Sequence, residues 1–526
     1  MLVLANFVLE NHACMLYQKQ LNQLLTSTNE QSLTLGLEIL KGLDESAYQH
    51  FLEDYKDLYQ FFFHSEDTSP ALSPHQLIQL NSPEIITKNS HKKSGELPEC
   101  IQRLNHLTKL QLENFRSLAL PKTLTTLEQL DTLIIKHASL ARTEVPLLHH
   151  LKTLVLVSNE LFEFPEEVTL LKNLEALQIG FNDLVTLSPN INCLQNLTFL
   201  QLWKTELIEL PTEIVFLDKL QVLRLGNNQL NVLPEEFHFL QKLEKLDLSK
   251  NRLQKLPDQF FHLPRLTYLN LSENQLSMLP PKIDQAKSLT HLNLGENQLT
   301  MLPREIGQLR HLKSLKVWRN NLNAVPGELF QIQTLEELDL SENHLSFLYD
   351  NIALLENLQD LDLSGNQFMT LPASIGALKK LSDLDASENQ LTMLPDEIGQ
   401  LQQLEALYLH ENELTQLPDA IAQLIQLKNL VLERNPLWEL TPIIGQLQSL
   451  ESLNLDDCQL TRLPSQIGQL TQLKELYLNN NHLTNLPLEI GQLQRLQRLE
   501  LTGNSFSETT QQEIEQLLPN CEALYF

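Results

Sequence analysis

The chain has 526 residues, and leucine runs throughout it while Gly and Tyr number only 15 and 9; so long a chain ordinarily divides into three or four compact domains, unless it repeats. Its formal charge of -28, from 66 acidic and 38 basic residues, repels phosphate backbones and anionic membrane surfaces, which argues against nucleic acid and favours a basic or neutral partner. The five cysteines, Cys14, Cys100, Cys193, Cys458 and Cys521, are odd in number and never closely spaced, a usage that fits a reducing compartment and neither a disulfide framework nor a zinc site.

The first residues, MLVLANFVLENH, have no basic leader and only a short apolar run, so a soluble, cytoplasmic protein is expected, with no membrane span. Residues 1–63 read as helical. Ser27-Thr28-Asn29-Glu30 fits a capping box, Leu33, Leu37 and Leu40 share one face, and Gly42 is placed to end that helix. Phe51, Tyr55, Leu58, Tyr59 and Phe62 form a second stripe. Such a segment serves either as an N-terminal cap or as a separate partner-recruiting domain. Residues 64–95, with SEDTSPALSP and NSHKKSGE, read as a linker.

From 96 to 504 the chain is read as about 18 repeats with a period of 23 residues. Two weak copies come first, built on Leu107, Leu110 and Leu112 and on Leu130, Leu133, Ile135 and Leu140, after a half-copy, LPECIQRL. From Leu151 onward 16 copies follow without an insertion, and the ninth slot is Asn in 14 of them, with Thr205 and Cys458 as the departures. The LxL pair alternates at period two, so both leucines point inward from a short strand. Asn falls where the chain turns away, and its amide can satisfy buried backbone donors and acceptors alike, giving a ladder along the stack. Pro opens the second half in 12 of 15 continuing copies, as in LTMLPDEIGQL, and starts a helical or 3-10 turn. Strands about 4.8 Å apart beside helices that need about 8–10 Å predict a curved stack with the strands inside. The fold class is therefore an α/β solenoid, a horseshoe with a concave parallel sheet and short helices on its convex side. Residues 505–526 read as a C-terminal cap, with Ile514, Leu517 and Leu518 as its apolar stripe.

LxxLxLxxNxL is the leucine-rich-repeat signature, and the LPxEIGxLxxL half resembles the Ras-group subtype, as in the Scribble and Erbin proteins and the plant intracellular Ras-group proteins. It is also similar to large bacterial arrays of nearly identical repeats. The resemblance spans about 97–526 and implies a binding fold with diverse partners.

No phosphate loop, nucleotide fingerprint, nucleophile elbow or metal-protease motif occurs. No enzyme, cofactor or metal is expected, and the His149-His150 pair reads as a solvated face. The candidate partner-binding residues lie on the outward strand positions. Trp203 and Trp318 share one slot five coils apart, between small same-slot neighbours, Gly180 and Gly226 around the first and Gly295 and Ser341 around the second. Phe181, Phe199 and Tyr268 add aromatic surface. Glu337 and Asp339, Asp360 and Asp362, then Asp383 and Asp385 place six carboxylates on three consecutive coils with no cation in their own columns. They read as a solvated acidic face, as a basic-partner site, or least favourably as a divalent-metal site. The expected function is a non-enzymatic protein–protein interaction scaffold that binds on the concave face, in intracellular signalling. A secreted, host-directed bacterial effector and a receptor-like binding module are the alternatives.

Overall fold

The computed structural model describes residues 17–63, 72–88, 94–140 and 145–526. Contacts divide the chain into two compact units, Met1–Leu243 and Glu244–Phe526. The opening MLVLANFVLENH and Cys14 lie outside the described residues, as does most of SEDTSPALSP.

In the first unit a helical stretch over residues 17–25 leads into helices α1 (Glu30–Leu43), α2 (Glu45–Phe63) and α3 (Pro74–Leu80). Asn29 rather than Ser27 caps α1, accepting from the Ser32 N–H at 3.1 Å. Gly42 does not end this helix but lies within its last turn, with no atom near enough to meet an added side chain; Asp44 follows as the C-cap, and its carboxylate accepts from the Ala47 N–H in α2. On α2, Phe51, Tyr55, Leu58 and Phe62 are buried, as their spacing predicts. The Tyr55 hydroxyl donates to Asn81 Oδ1 at 3.1 Å, while the Asn81 amide donates to the Leu25 and Ser27 carbonyls, so one side chain at the end of α3 ties α2 to the chain just before α1.

The stretch expected as linker is ordered where it is described. Ser73 caps α3 in a capping box with Gln76, and strand β1 (Glu84–Lys88) pairs in parallel with β3 (Lys109–Glu113). Ile85 and Thr87 point inward, and the Thr87 hydroxyl donates to the Phe62 carbonyl at the end of α2. This segment is a degenerate first coil that has kept the inward pair and lost the asparagine. A short strand β2 (Ser94–Glu96) pairs with β4 (Ser117–Ala119). The sheet then continues in register from β3 through β5 (Thr132–Lys136), β6 (Thr153–Val157), β7 (Ala176–Gln178), β8 (Phe199–Gln201) and β9 (Val222–Arg224).

The second unit repeats the same coil more regularly. Its parallel strands run from Lys245–Asp247 to Arg498–Glu500, each displaced by 23 residues from the last. Proline precedes most of the five-residue 3-10 turns. At 395–401, for instance, the Ile398 N–H donates to the Pro395 carbonyl at 3.0 Å, and Leu401 N–H to Ile398 at 3.1 Å. Ile398 and Leu401 are fully buried. Gly399 faces the backbone of the following coil so closely that a methyl group there would strike the Ala420 carbonyl.

The asparagine slot carries the ladder. The Asn343 amide donates to the Val317 carbonyl one coil back and to Leu340 and Ser341 in its own coil, at 3.0–3.1 Å, and its Oδ1 accepts from the Leu322 N–H at 3.1 Å. Where the slot is not Asn, fewer bonds are made. The Thr205 hydroxyl reaches the Leu202 carbonyl, and the Cys458 thiol the Leu432 and Asp456 carbonyls. Asn159 extends the ladder back to the weak copy, donating to the Ile135 carbonyl and accepting from the Ala138 N–H. The residue just before each ladder slot adopts a left-handed conformation, as at Glu342 (φ 49°), Gly365 (φ 60°) and Glu388 (φ 53°). After the last asparagine, α4 (Glu508–Leu517) buries Ile514, and strand Ala523–Tyr525 pairs with Arg498–Glu500.

Candidate functional site

The outward strand positions and the turn just past them hold the expected aromatic and acidic residues of each unit. In the first unit Phe199 stands on β8, and Trp203 follows two residues beyond its end. Phe181 occupies the left-handed turn position (φ 52°), which turns its ring towards the next coil. The Phe181 and Trp203 rings meet edge to face, 4.8 Å between centroids. Trp203 therefore has a bulky neighbour after all, supplied by the adjacent column rather than its own. Two cations complete the cluster and were not singled out from the sequence. Lys204 Nζ lies 5.0 Å from the centre of the Phe181 ring, and the Arg224 guanidinium 5.7 Å from that of Phe199.

In the second unit the Tyr268 ring lies 6.3 Å from that of His291. The Trp318 indole lies flat over Gly295, where any side chain would collide with its Nε1 edge. Its other neighbour, Arg319, lies 5.5 Å from the ring and is held between Glu296 and Glu342, at 2.7 Å from each. Trp318 is thus half-buried and fixed, presenting one face.

The six carboxylates do not behave as one acidic face. Asp339, Asp362 and Asp385 each turn Oδ1 to the serine two residues on, accepting from its N–H at 2.9–3.1 Å and its hydroxyl at 2.5–2.7 Å. These three close the turn after the strand, as Asp247 does with Ser249 and Asn270 with Ser272. Recurrence of D-L-S and N-L-S at this register was the signal in the sequence that could have revealed it. A cation also stands nearer than expected. Lys316, one coil earlier in the column of Asp339, pairs with Glu337 at 2.5 Å, and the Ser314 hydroxyl donates to the same carboxylate. Burial works against ionisation of Glu337, but the bonds from Lys316 and Ser314 outweigh it and hold its pKa below the usual range.

Asp360 and Asp383 remain. They are direct neighbours on adjacent parallel strands, and neither forms an ion pair among the described residues. Burial first, then repulsion by Asp360, Asp385 and Asp362, raises the Asp383 pKa to about 6, and burial with Glu337 and Asp362 raises that of Asp360. No group of three or more His, Cys, Asp or Glu side chains is placed to hold a metal ion among the described residues. His149 and His150 are exposed, and Cys100, Cys193, Cys458 and Cys521 are free thiols. Burial raises the Cys100 thiol to about 11 and the Cys458 thiol to about 12, far from a nucleophile's range. No described helix is long and apolar enough to cross a membrane. The third tryptophan, Trp438, went unremarked in the sequence; it is 57% exposed in the segment between strand and 3-10 turn, with φ 58°.

Comparison with known proteins follows the coils. A leucine-rich-repeat profile matches residues 195–253, 241–299, 310–368 and 379–437, and a leucine-rich-repeat-region profile matches 419–519. No functionally curated protein matches. Among solved structures, a leucine-rich-repeat protein of Leptospira interrogans is 34% identical, with 84% of this chain and 97% of that chain covered and a TM-score of 0.62. The plant peptide hormone receptor RGFR1, solved in complex with RGF2, is 27% identical over 82% of this chain and 76% of its own, with a TM-score of 0.63. The Arabidopsis receptor kinase HAESA, solved with the peptide hormone IDA and the co-receptor SERK1, is 25% identical over 80% and 74%, with a TM-score of 0.61. Profile and structural matches run through the same 23-residue coils that carry the asparagine ladder, and on that basis the chain belongs to the leucine-rich-repeat proteins.

Proposed function

We propose that this protein is a non-enzymatic recognition scaffold that holds a protein or peptide partner against its outward strand positions, in intracellular signalling. The observation that carries the reading is the Asp360–Asp383 pair. The half-buried Asp383 and the exposed Asp360 repel each other on neighbouring strands, and burial first, then that repulsion, pushes Asp383 to about 6. A lysine or arginine brought by a partner would relieve both the repulsion and the desolvation. Trp318 supplies a rigid aromatic face just past its strand, Ser314–Lys316, two and three coils away along the array. The receptors RGFR1 and HAESA, similar in fold, were solved with peptide ligands, which supports a binding role. The LPxEIGxLxxL half of the coil supports the Ras-group subtype, and four free thiols support a reducing, cytoplasmic setting. A receptor-like module is the second reading, favoured by the same receptor similarity.

The test is affinity capture with the full chain as bait, with bound proteins identified by mass spectrometry. A bait carrying Trp318→Ala, Asp360→Asn and Asp383→Asn should lose the captured partner by about thirtyfold or more in affinity, the loss of one aromatic anchor alone being worth about 2 kcal/mol. A partner held equally well by this variant would overturn the assignment of these residues.

A further inference from the structure

The first unit carries a surface of opposite character. In a chain of net charge -28, the outward positions of β7, β8 and β9 are Ala176 and Gln178, Phe199 and Gln201, Val222 and Arg224, without a carboxylate among them. Lys204 and Arg224 form no ion pair among the described residues and rest instead on the rings of Phe181 and Phe199. This departs from the rule elsewhere. At the left-handed turn position of the second unit, Lys250 pairs with Glu273, Arg319 with Glu296 and Glu342, and Arg434 with Glu411, each one coil away. Lys204 occupies that position too, but its column neighbours are Phe181 and Asn227. The coil has replaced the usual carboxylate by a ring and an amide. A cation over an exposed ring gains only about 0.5–1 kcal/mol, whereas a carboxylate forms charge-assisted hydrogen bonds to either cation, two at once to the guanidinium.

Resting on the reading of the strand positions as a recognition surface, we propose that this patch of the first unit takes an acidic peptide segment in which an Asp or Glu stands next to an aromatic or large aliphatic residue. Carboxylates of the segment meet Lys204 on the Phe181 ring and Arg224 on the Phe199 ring, and the apolar side chain lies against the Phe181–Trp203 ring pair. Nucleic acid offers anions and rings as well, but the net charge of the chain opposes a polyanion.

The probe is a phage-displayed random peptide library panned on the full chain, with enriched sequences resynthesised and titrated by fluorescence polarisation. Expected are peptides pairing Asp or Glu with an aromatic or aliphatic neighbour. Their binding should weaken about tenfold or more in the Lys204→Ala, Arg224→Ala double variant, recover in Lys204→Arg, Arg224→Lys, and stay unchanged in Asp360→Asn, Asp383→Asn. An unchanged melting temperature would confirm that the double variant folds. Acidic peptides indifferent to the two cations would overturn the proposal, as would a short single-stranded oligonucleotide that competes at equal affinity. Enrichment of basic peptides sensitive only to Asp360 and Asp383 would overturn it while leaving the proposed function standing. If no peptide sensitive to either pair is enriched, both fail.

Discussion

Replacing Asn343 by Ala isolates what one rung of the ladder contributes, because each of its four bonds has a different alternative. The Val317 carbonyl keeps a bond from Asn320, the Leu340 carbonyl one from Asn366, and the Ser341 carbonyl one from the Arg319 N–H. The Leu322 N–H has Asn343 Oδ1 as its acceptor at 3.1 Å and lies in the buried interior of the coil. The cost is then close to that of one orphaned buried donor, about 2 kcal/mol, with the carbonyls adding little. Asn343→Asp keeps an oxygen for Leu322 but turns its other oxygen towards three carbonyls, so it should cost at least as much at neutral pH and recover as acid protonates the carboxyl. Urea titration followed by far-ultraviolet circular dichroism would read the loss, and hydrogen exchange should show the Leu322 amide losing protection before amides several coils away, since each coil contacts only its neighbours. A loss below about 0.5 kcal/mol, or an unchanged Leu322 amide, would refute the accounting.

Asp383→Asn should stabilise the protein at pH 8 and have no effect at pH 4. The folded pKa of about 6 exceeds the unfolded value, so ionisation penalises the folded state above pH 6 and the penalty fades as pH falls towards 4; with solvent screening at a half-exposed site it should be about 1 kcal/mol, and midpoints of urea unfolding at both pH values check it. Asp339→Ala, which strips the Ser341 N–H and hydroxyl of their acceptor, should cost about 1 kcal/mol, and Asp339→Asn about half of that or less; equal losses in thermal melts would contradict the bonding role. At Glu388, Gly should be tolerated without loss because φ is 53°, whereas Val should cost about 1 kcal/mol or more, again read by thermal melting. Removing 505–526 should expose the leucine edge beneath α4 and drive aggregation, visible in light scattering.

The coil was legible because every slot recurs under the same constraint: inward leucines on a strand, an amide at a buried turn, proline where an N–H is not needed. Residues 72–88 were not, since Ile85 and Thr87 keep the inward pair while the asparagine that marks a coil is gone. The mispairing at Trp203 has a related cause. Columns drawn from the sequence treat side chains as standing straight out from the strand, but Phe181 sits at a left-handed residue that swings its ring across to the neighbouring column. The acidic residues show the limit most sharply. Asp339 and Asp360 look alike in sequence, yet one is engaged by Ser341 and the other is left facing Asp383, a difference that depends on which side of the inward leucine each stands. Lys316 reached Glu337 diagonally, a contact that no single column contains.

The ladder also governs how such a gene can grow. Each asparagine reaches back one coil and no further, as Asn343 does to Val317 and Leu322. Recombination between any two equivalent codons therefore adds or removes whole coils while every remaining amide finds the same carbonyls and the same N–H it had before. A crossover out of phase by even one residue places a flanking residue, such as Glu342 or His344, opposite those groups and breaks the rung. Length can thus change freely in steps of the repeat and hardly at all in between, and the outward positions can be shuffled as cassettes on a frame that never needs to be redesigned.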